Sequence, residues 1–183
     1  MDPVARDILA FWFGPTPRVE RPEWFRKDDA FDATIRARFG PAVEAAIDGA
    51  FADWTATPHG ALARILLTDQ FTRNIFRGTS RAFAGDPVAL ATAMQAVAVG
   101  HDRALDPIER WFLYLPYEHS ELPTDQDRSV ELTTARAPEY IKYAIEHRDI
   151  IKRFGRFPHR NKMLGRDTTA DEQAFLDGGG FSG

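Results

Sequence analysis

Three times this chain sets an aspartate directly before a proline, at Asp2-Pro3, Asp86-Pro87 and Asp106-Pro107. The carboxylate can accept from the first free N–H groups of a helix, and a proline in the first turn gives up a donor that has no helical partner there. Pro41, Pro58 and Pro138 read as three further starts, and Gly14, Gly100 and Gly155 as stops. Asp106 with Glu109, and Thr169 with Glu172, have the spacing of capping boxes. Apolar spacing agrees: Phe31, Ile35 and Phe39 recur at four, as do Val43, Ile47 and Phe51, and Leu90, Met94 and Val97 follow at four and three. No segment alternates with period two, and no Asn-Gly or Asp-Gly turn separates apolar runs. The expected fold is all-α, about eight helices in antiparallel pairs.

At 183 residues the chain is most simply one domain, 1–183, large enough to bury a core unaided. It has no cysteine, which excludes disulfides, thiolate nucleophiles and cysteine-held zinc or iron–sulfur centres. The start, "MDPVARDILAFWFG", lacks the basic and long apolar regions of a signal peptide, and no apolar run is long enough to span a bilayer. The expected compartment is the cytoplasm, with no membrane partner. The stretch "GPTPRVERPEWFRKD", Gly14 to Asp28, reads as a loop wrapped over the core or a lid, and the tail "DGGGFSG" as frayed.

Charge is unevenly spread. Between Arg148 and Arg166 seven basic residues stand against one acid, inside a chain of net charge −4. Asp106 to Glu131 leans the other way, with seven acids against Arg110 and Arg128. Two such segments can face one another without any ligand.

Polar residues also fall on apolar helix faces. In "PHGALARILLTDQFTRNIFRG", Pro58 to Gly78, residues Leu62, Ile65, Leu66, Asp69, Arg73 and Phe76 share an arc of roughly 100°. Asp69 and Arg73 therefore point inward as an acid-first i,i+4 pair, with Gln70 at the edge of the arc. Burying such a pair costs several kcal/mol per charge unless other groups complete its hydrogen bonds. In "PEYIKYAIEHRDIIKRFG", Arg148 falls in the middle of the face of Ile141, Ala144, Ile145 and Ile151, and His147 beside Tyr140. Beyond it, "FGRFPHRNKMLGR" threads Arg156, His159, Arg160 and Asn161 between phenylalanines. In "LYLPYEHSELPTDQ", Pro116 interrupts and Glu118, His119 and Glu121 follow, either packed or as a solvated acidic turn. Phe71-Thr72-Arg73-Asn74 faintly echoes Phe157-Pro158-His159-Arg160-Asn161, a similarity short enough to arise by chance.

The segments "ILAFWFG", "ARILLTDQFTRNIFRGTSRAFAGD", "LYLPYEHSE" and "IIKRFGRFPHRNKMLGRDTTADEQAFL" together resemble the bacterial family called domain of unknown function 924, over nearly the whole chain. That family usually has proline after "DQF", where this chain has Thr72. The resemblance implies a tetratricopeptide-like fold of helix pairs. It implies no activity and leaves any cofactor unknown, and the chain itself lacks the tetratricopeptide consensus.

The residues suit several chemistries to different degrees. Arg73, Arg156 and Arg160 suit a carboxylate or phosphate, Asn74, Asn161 and Gln70 suit ligand orientation, and His119, His147 or His159 with Glu118 or Asp69 suit proton transfer. A metal is disfavoured, because Glu118-His119 and Glu146-His147 are adjacent pairs rather than Glu-x-x-His. Ser120 beside His119 is a poor nucleophile pair, since sequence neighbours rarely adopt triad geometry. Nucleic acid is disfavoured by the acidic remainder of the chain. The leading expectation is a pocket for a small anion, with His119, His159, Glu118 and Asp69 as acid–base candidates and Gln70, Arg73, Asn74, His147, Arg156, Arg160 and Asn161 as ligand contacts. Whether it turns the ligand over stays open. The rival is a helical scaffold for a protein partner or for self-association, with the polar cluster as a structural network.

Overall fold

The computed structural model describes residues 1–181, all of the regular structure among them helical; Ser182 and Gly183 lie outside the described residues. Helix α1 (Pro3–Phe13) starts as the Asp2-Pro3 signal predicts, with the Asp2 carboxylate accepting from the Val4 N–H at 2.7 Å. Its apolar stripe, Ala5, Ile8, Leu9, Trp12 and Phe13, is buried. Helix α2 (Asp29–Ile47) is capped by Asp28 and runs straight through Pro41, so Pro41 is not a helix start. Burial of Ile35, Phe39, Val43 and Ala46 on both sides of the proline holds the two halves to one core and overrides the local signal. Pro41 itself is solvent-exposed. Replacing it with alanine restores a missing donor and is expected to raise stability by about 1–3 kcal/mol, measured by urea denaturation.

Helix α3 (Pro58–Ile65) continues through one π turn (Leu66–Gln70) into α4 (Phe71–Ile75), forming a single bent rod. The Phe71 N–H bonds the Leu66 carbonyl five residues back, which marks the π turn. Gly85 lies against that turn so closely that a Cβ there would stand 2.1 Å from the Thr68 carbonyl oxygen. Helix α5 (Asp86–Ala98) buries Ala89, Thr92, Ala93 and Ala96 and leaves Met94 exposed. The small residues face α3 and α6, whereas the spacing of Leu90, Met94 and Val97 had pointed to a face of larger ones.

Helix α6 (Pro107–Glu118) is the central element. Every residue from Trp111 to Glu118 is buried, Pro116 included, so the helix is not interrupted there. Helices α7 (Pro123–Arg136) and α8 (Ile141–Phe154) pack successively beside it, and Gly155 ends α8 at φ 72°, a conformation that favours glycine. A turn at Pro158–Arg160 leads to α9 (Ala170–Asp177), whose Thr169–Glu172 capping box is formed as predicted. One large core joins α1 to α7 through Trp12, Phe39, Phe71 and Phe112. A small second cluster of Ile150, Ile151 and Phe157 gathers Phe154, Phe175 and Phe181 around it.

The Gly14–Asp28 loop is strapped down. Arg21 Nη1 donates to the Phe11 and Trp12 carbonyls at 2.7 and 3.0 Å, Trp24 stacks on Trp12, and Arg18 pairs with buried Glu109. The tail is packed as far as Phe181, whose ring meets His147 and His159 edge-on. No helix of the described residues is long and apolar enough to cross a membrane.

Candidate functional site

The inward-facing pair read from helix periodicity is present. Asp69, on the π turn, is wholly buried, and Arg73 one turn later reaches its Oδ1 at 3.1 Å and its carbonyl at 2.6 Å. Gln70 Nε2 donates to Asp69 Oδ2 at 2.5 Å. The imidazole of the site comes from the residue that ends α6: His119 Nδ1 donates to Asp69 Oδ1 at 2.7 Å, which leaves its Nε2 as a proton acceptor. Asp69 is thus shared among a cation, an amide and an imidazole. Burial pushes its carboxyl upward, but Arg73 and His119 together overcome that and hold it well below the usual range.

Helix α8 delivers His147, buried, with Nδ1 donating to the Tyr143 carbonyl at 2.9 Å. The rings of His119 and His147 stand 5.9 Å apart. The buried face of α8 centres on Ala144, His147, Ile150 and Ile151, and Arg148 turns outward to Asp149 rather than lying mid-face. The Pro158–Arg160 turn brings in the last two members. Burial, followed by the charge of Arg160, lowers His159 to about 3, and burial likewise holds His147 at about 3, so both rings are neutral at pH 7. Arg160 is pulled down to about 10 by burial and by Arg73, and remains charged.

Arg160 is a buried cation with an incomplete set of partners. Its side chain is only 7% exposed, yet its nearest acid, Asp86 Oδ2, is 3.5 Å away, and its buried Nε has no hydrogen-bond partner. Its Cζ lies over the rings of Phe83 and Phe157 at 4.7 and 4.6 Å. The buried Nδ1 of His159 is likewise without a partner, and so are both carboxyl oxygens of Glu118 at the end of α6. Burial, then the charge of Asp69, raises Glu118 to about 8, so it holds its proton at neutral pH.

Asp86 was not among the candidates, because Asp86-Pro87 read as a helix cap. In the structure Gly85 is the cap residue and Asp86 the first residue of α5. Its carboxylate takes Arg73 through both oxygens, at 3.0 and 3.2 Å, and faces Arg160 as well. The glycine ahead of it, an acceptable cap in its own right, is the sequence signal that left the aspartate free.

Three candidates lie elsewhere. Asn74 donates to Asp32 at 2.7 Å, beside an open groove of about 610 Å³ between α2 and α4 whose Arg77 is also held by Asp32. Arg156 donates to both oxygens of Glu172 at 2.7 and 2.9 Å, and Asn161 donates to Glu172 and accepts from Arg166. These tie the 155–166 segment to α9. The faint echo between the two Arg-Asn pairs is half realised: Arg73 and Arg160 meet at Asp86, while the asparagines diverge. Of the oppositely charged segments, Arg166 pairs with Glu121 at 2.7 Å and Lys152 with Asp127 at 3.9 Å, whereas Arg156 and Arg160 find acids outside the acidic stretch. No three His, Asp or Glu side chains among the described residues are grouped so as to hold a metal ion.

A family model described as bacterial protein of unknown function, DUF924, matches residues 8–180. The chain belongs to this family. The DUF924 chain is also similar to the solved structure of a protein of unknown function from Agrobacterium tumefaciens, at 42% identity and a TM-score of 0.88, covering 96% of this chain and 97% of that one. Comparison with curated proteins gives no match. The DUF924 fold thus has a close experimental counterpart, and neither description carries an activity.

Proposed function

We propose that this bacterial protein binds a small anion where Arg73, Arg160, His119 and His159 converge. The observation that carries the reading is Arg160, a buried cation whose Nε has no acceptor. A buried donor left unpaired costs about 1–3 kcal/mol. A cluster that served stability alone would have little reason to retain that orphan next to a second one on His159. An anion accepting from both groups removes the penalty. In the same cluster His119, oriented by Asp69, supplies a proton acceptor at Nε2, the arrangement a general base requires.

A specific observation favours the rival as well. Arg73 is already satisfied by Asp69 and by both oxygens of Asp86, as expected of a polar network that fixes helix register inside a scaffold.

Thermal melting against a panel of small carboxylates and phosphates separates the two. The anion reading expects one class to stabilise the parent, by about 2.7 kcal/mol at a hundredfold excess over Kd, and Arg160→Ala to abolish the shift. Arg156→Ala, altered at the Glu172 tie, keeps it. A sharply destabilised Arg160→Ala together with a parent that no anion shifts makes the cluster structural.

A further inference from the structure

The surroundings of Arg160 select among anions, and this step rests on the anion-binding reading above. Its five N–H donors lie in the guanidinium plane, so acceptors must approach an edge. Two aromatic faces, Phe83 and Phe157, stand over Cζ and fill space that an out-of-plane group would need. On the edge, Nη1 is the atom directed toward Asp86, while Nε is buried and unpaired. Nε and Nη2 share the remaining edge, whose parallel donors are the arrangement that pairs with two coplanar oxygens.

Charge narrows the choice further. Arg73 and Arg160 are matched by Asp69 and Asp86, and Glu121 is taken up by Arg166 at 2.7 and 3.0 Å. The three histidines are neutral at pH 7, and Glu118 keeps its proton. Because the two cations are already balanced by two carboxylates, each added negative charge is uncompensated, and a single charge is resisted less than two.

We propose that the ligand is a monocarboxylate, held edge-on through both oxygens by Nε and Nη2 of Arg160, and that phosphoryl groups are excluded. A carboxylate is planar and singly charged. A tetrahedral phosphoryl group carries oxygens out of the guanidinium plane toward the two rings, and near neutral pH it brings a second charge.

The test uses matched probes that share a body and differ in the head group: acetate with methylphosphonate, and benzoate with phenylphosphonate, alongside inorganic phosphate. Binding to the full-length protein is followed by thermal shift and by ligand-observed NMR. The expected result is that at least one carboxylate binds about tenfold or more tightly than its phosphonate partner. Arg160→Lys, which keeps the charge but lacks the fork, is expected to weaken that carboxylate by about tenfold or more. If phosphonates or phosphate bind as well as carboxylates, the carboxylate inference is overturned while the anion site stands. If the preferred carboxylate binds Arg160→Lys and Arg160→Ala as tightly as the parent, the assignment to Arg160 is overturned. If no probe binds the parent, both readings fall. The matched pairs are decided on the parent protein, so a variant that does not fold leaves the head-group comparison intact.

Discussion

Asp69→Ala is expected to destabilise the protein by about 2–4 kcal/mol at pH 7, because it takes the buried partner from a half-buried Arg73 and deprives His119 of its acceptor in one step. For a chain of this size that corresponds to a fall in melting temperature of roughly 10 °C. The effect has a pH signature. With the folded carboxyl held below its unfolded value, the stabilisation is fully present above about pH 4 and fades as pH falls through the folded value. Parent and variant should therefore converge in acid, as followed by urea denaturation at pH 7 and at successive steps below pH 4. A difference under about 1 kcal/mol at pH 7 would mean that Asp86 alone satisfies the arginine.

Glu118 carries the opposite sign. Its carboxyl is wholly buried near Asp69, with neither oxygen hydrogen-bonded, and it titrates at about 8. From about pH 4.5 to 8 the unfolded chain has lost this proton and the folded chain retains it, so the group destabilises the fold progressively as pH rises and levels off above 8. The full penalty is on the order of 5 kcal/mol. Glu118→Gln removes it. The variant should match the parent near pH 4 and exceed it by most of that amount at pH 9, with the gap opening across the stated window. A constant gap, or none, would show that the ionised carboxylate is solvated after all.

What the sequence disclosed of this site follows from the range of the forces involved. Asp69 and Arg73 were legible because helix periodicity is local: four residues of spacing put both on the leucine face, and no distant partner alters that. Pro41 misled because one residue's backbone preference was set against the burial of Phe39 and Val43, and the core term is larger. Asp86 was hidden by a correct rule applied one residue out of register. Asn74 and Arg156 have the right chemistry for a ligand, but their partners, Asp32 and Glu172, lie 42 and 16 residues away. Nothing in a one-dimensional pattern specifies such pairings. His119 and Glu118 sit side by side in "YEHSE", and only the uninterrupted passage of α6 through Pro116 shows that one joins Asp69 while the other is buried with its carboxyl 3.8 Å from His147.

The division of the apolar interior into two unequal clusters also bears on how the molecule opens. The large one engages α1 to α7; the small one, around Phe157, is what secures α9 and Phe181, reinforced by the grip of Arg156 and Asn161 on Glu172. Segments with few buried contacts undock at a fraction of the global unfolding free energy. The C-terminal helix is thus the lowest rung in a hierarchy of partial unfolding. Phe181, resting on His147 and His159, departs with it. Undocking of α9 on this scale is expected to uncover the buried His147 while the Asp69–Arg73–Asp86 core stays assembled, so exposure of that imidazole and integrity of the fold would follow separate equilibria, which native-state hydrogen exchange can resolve.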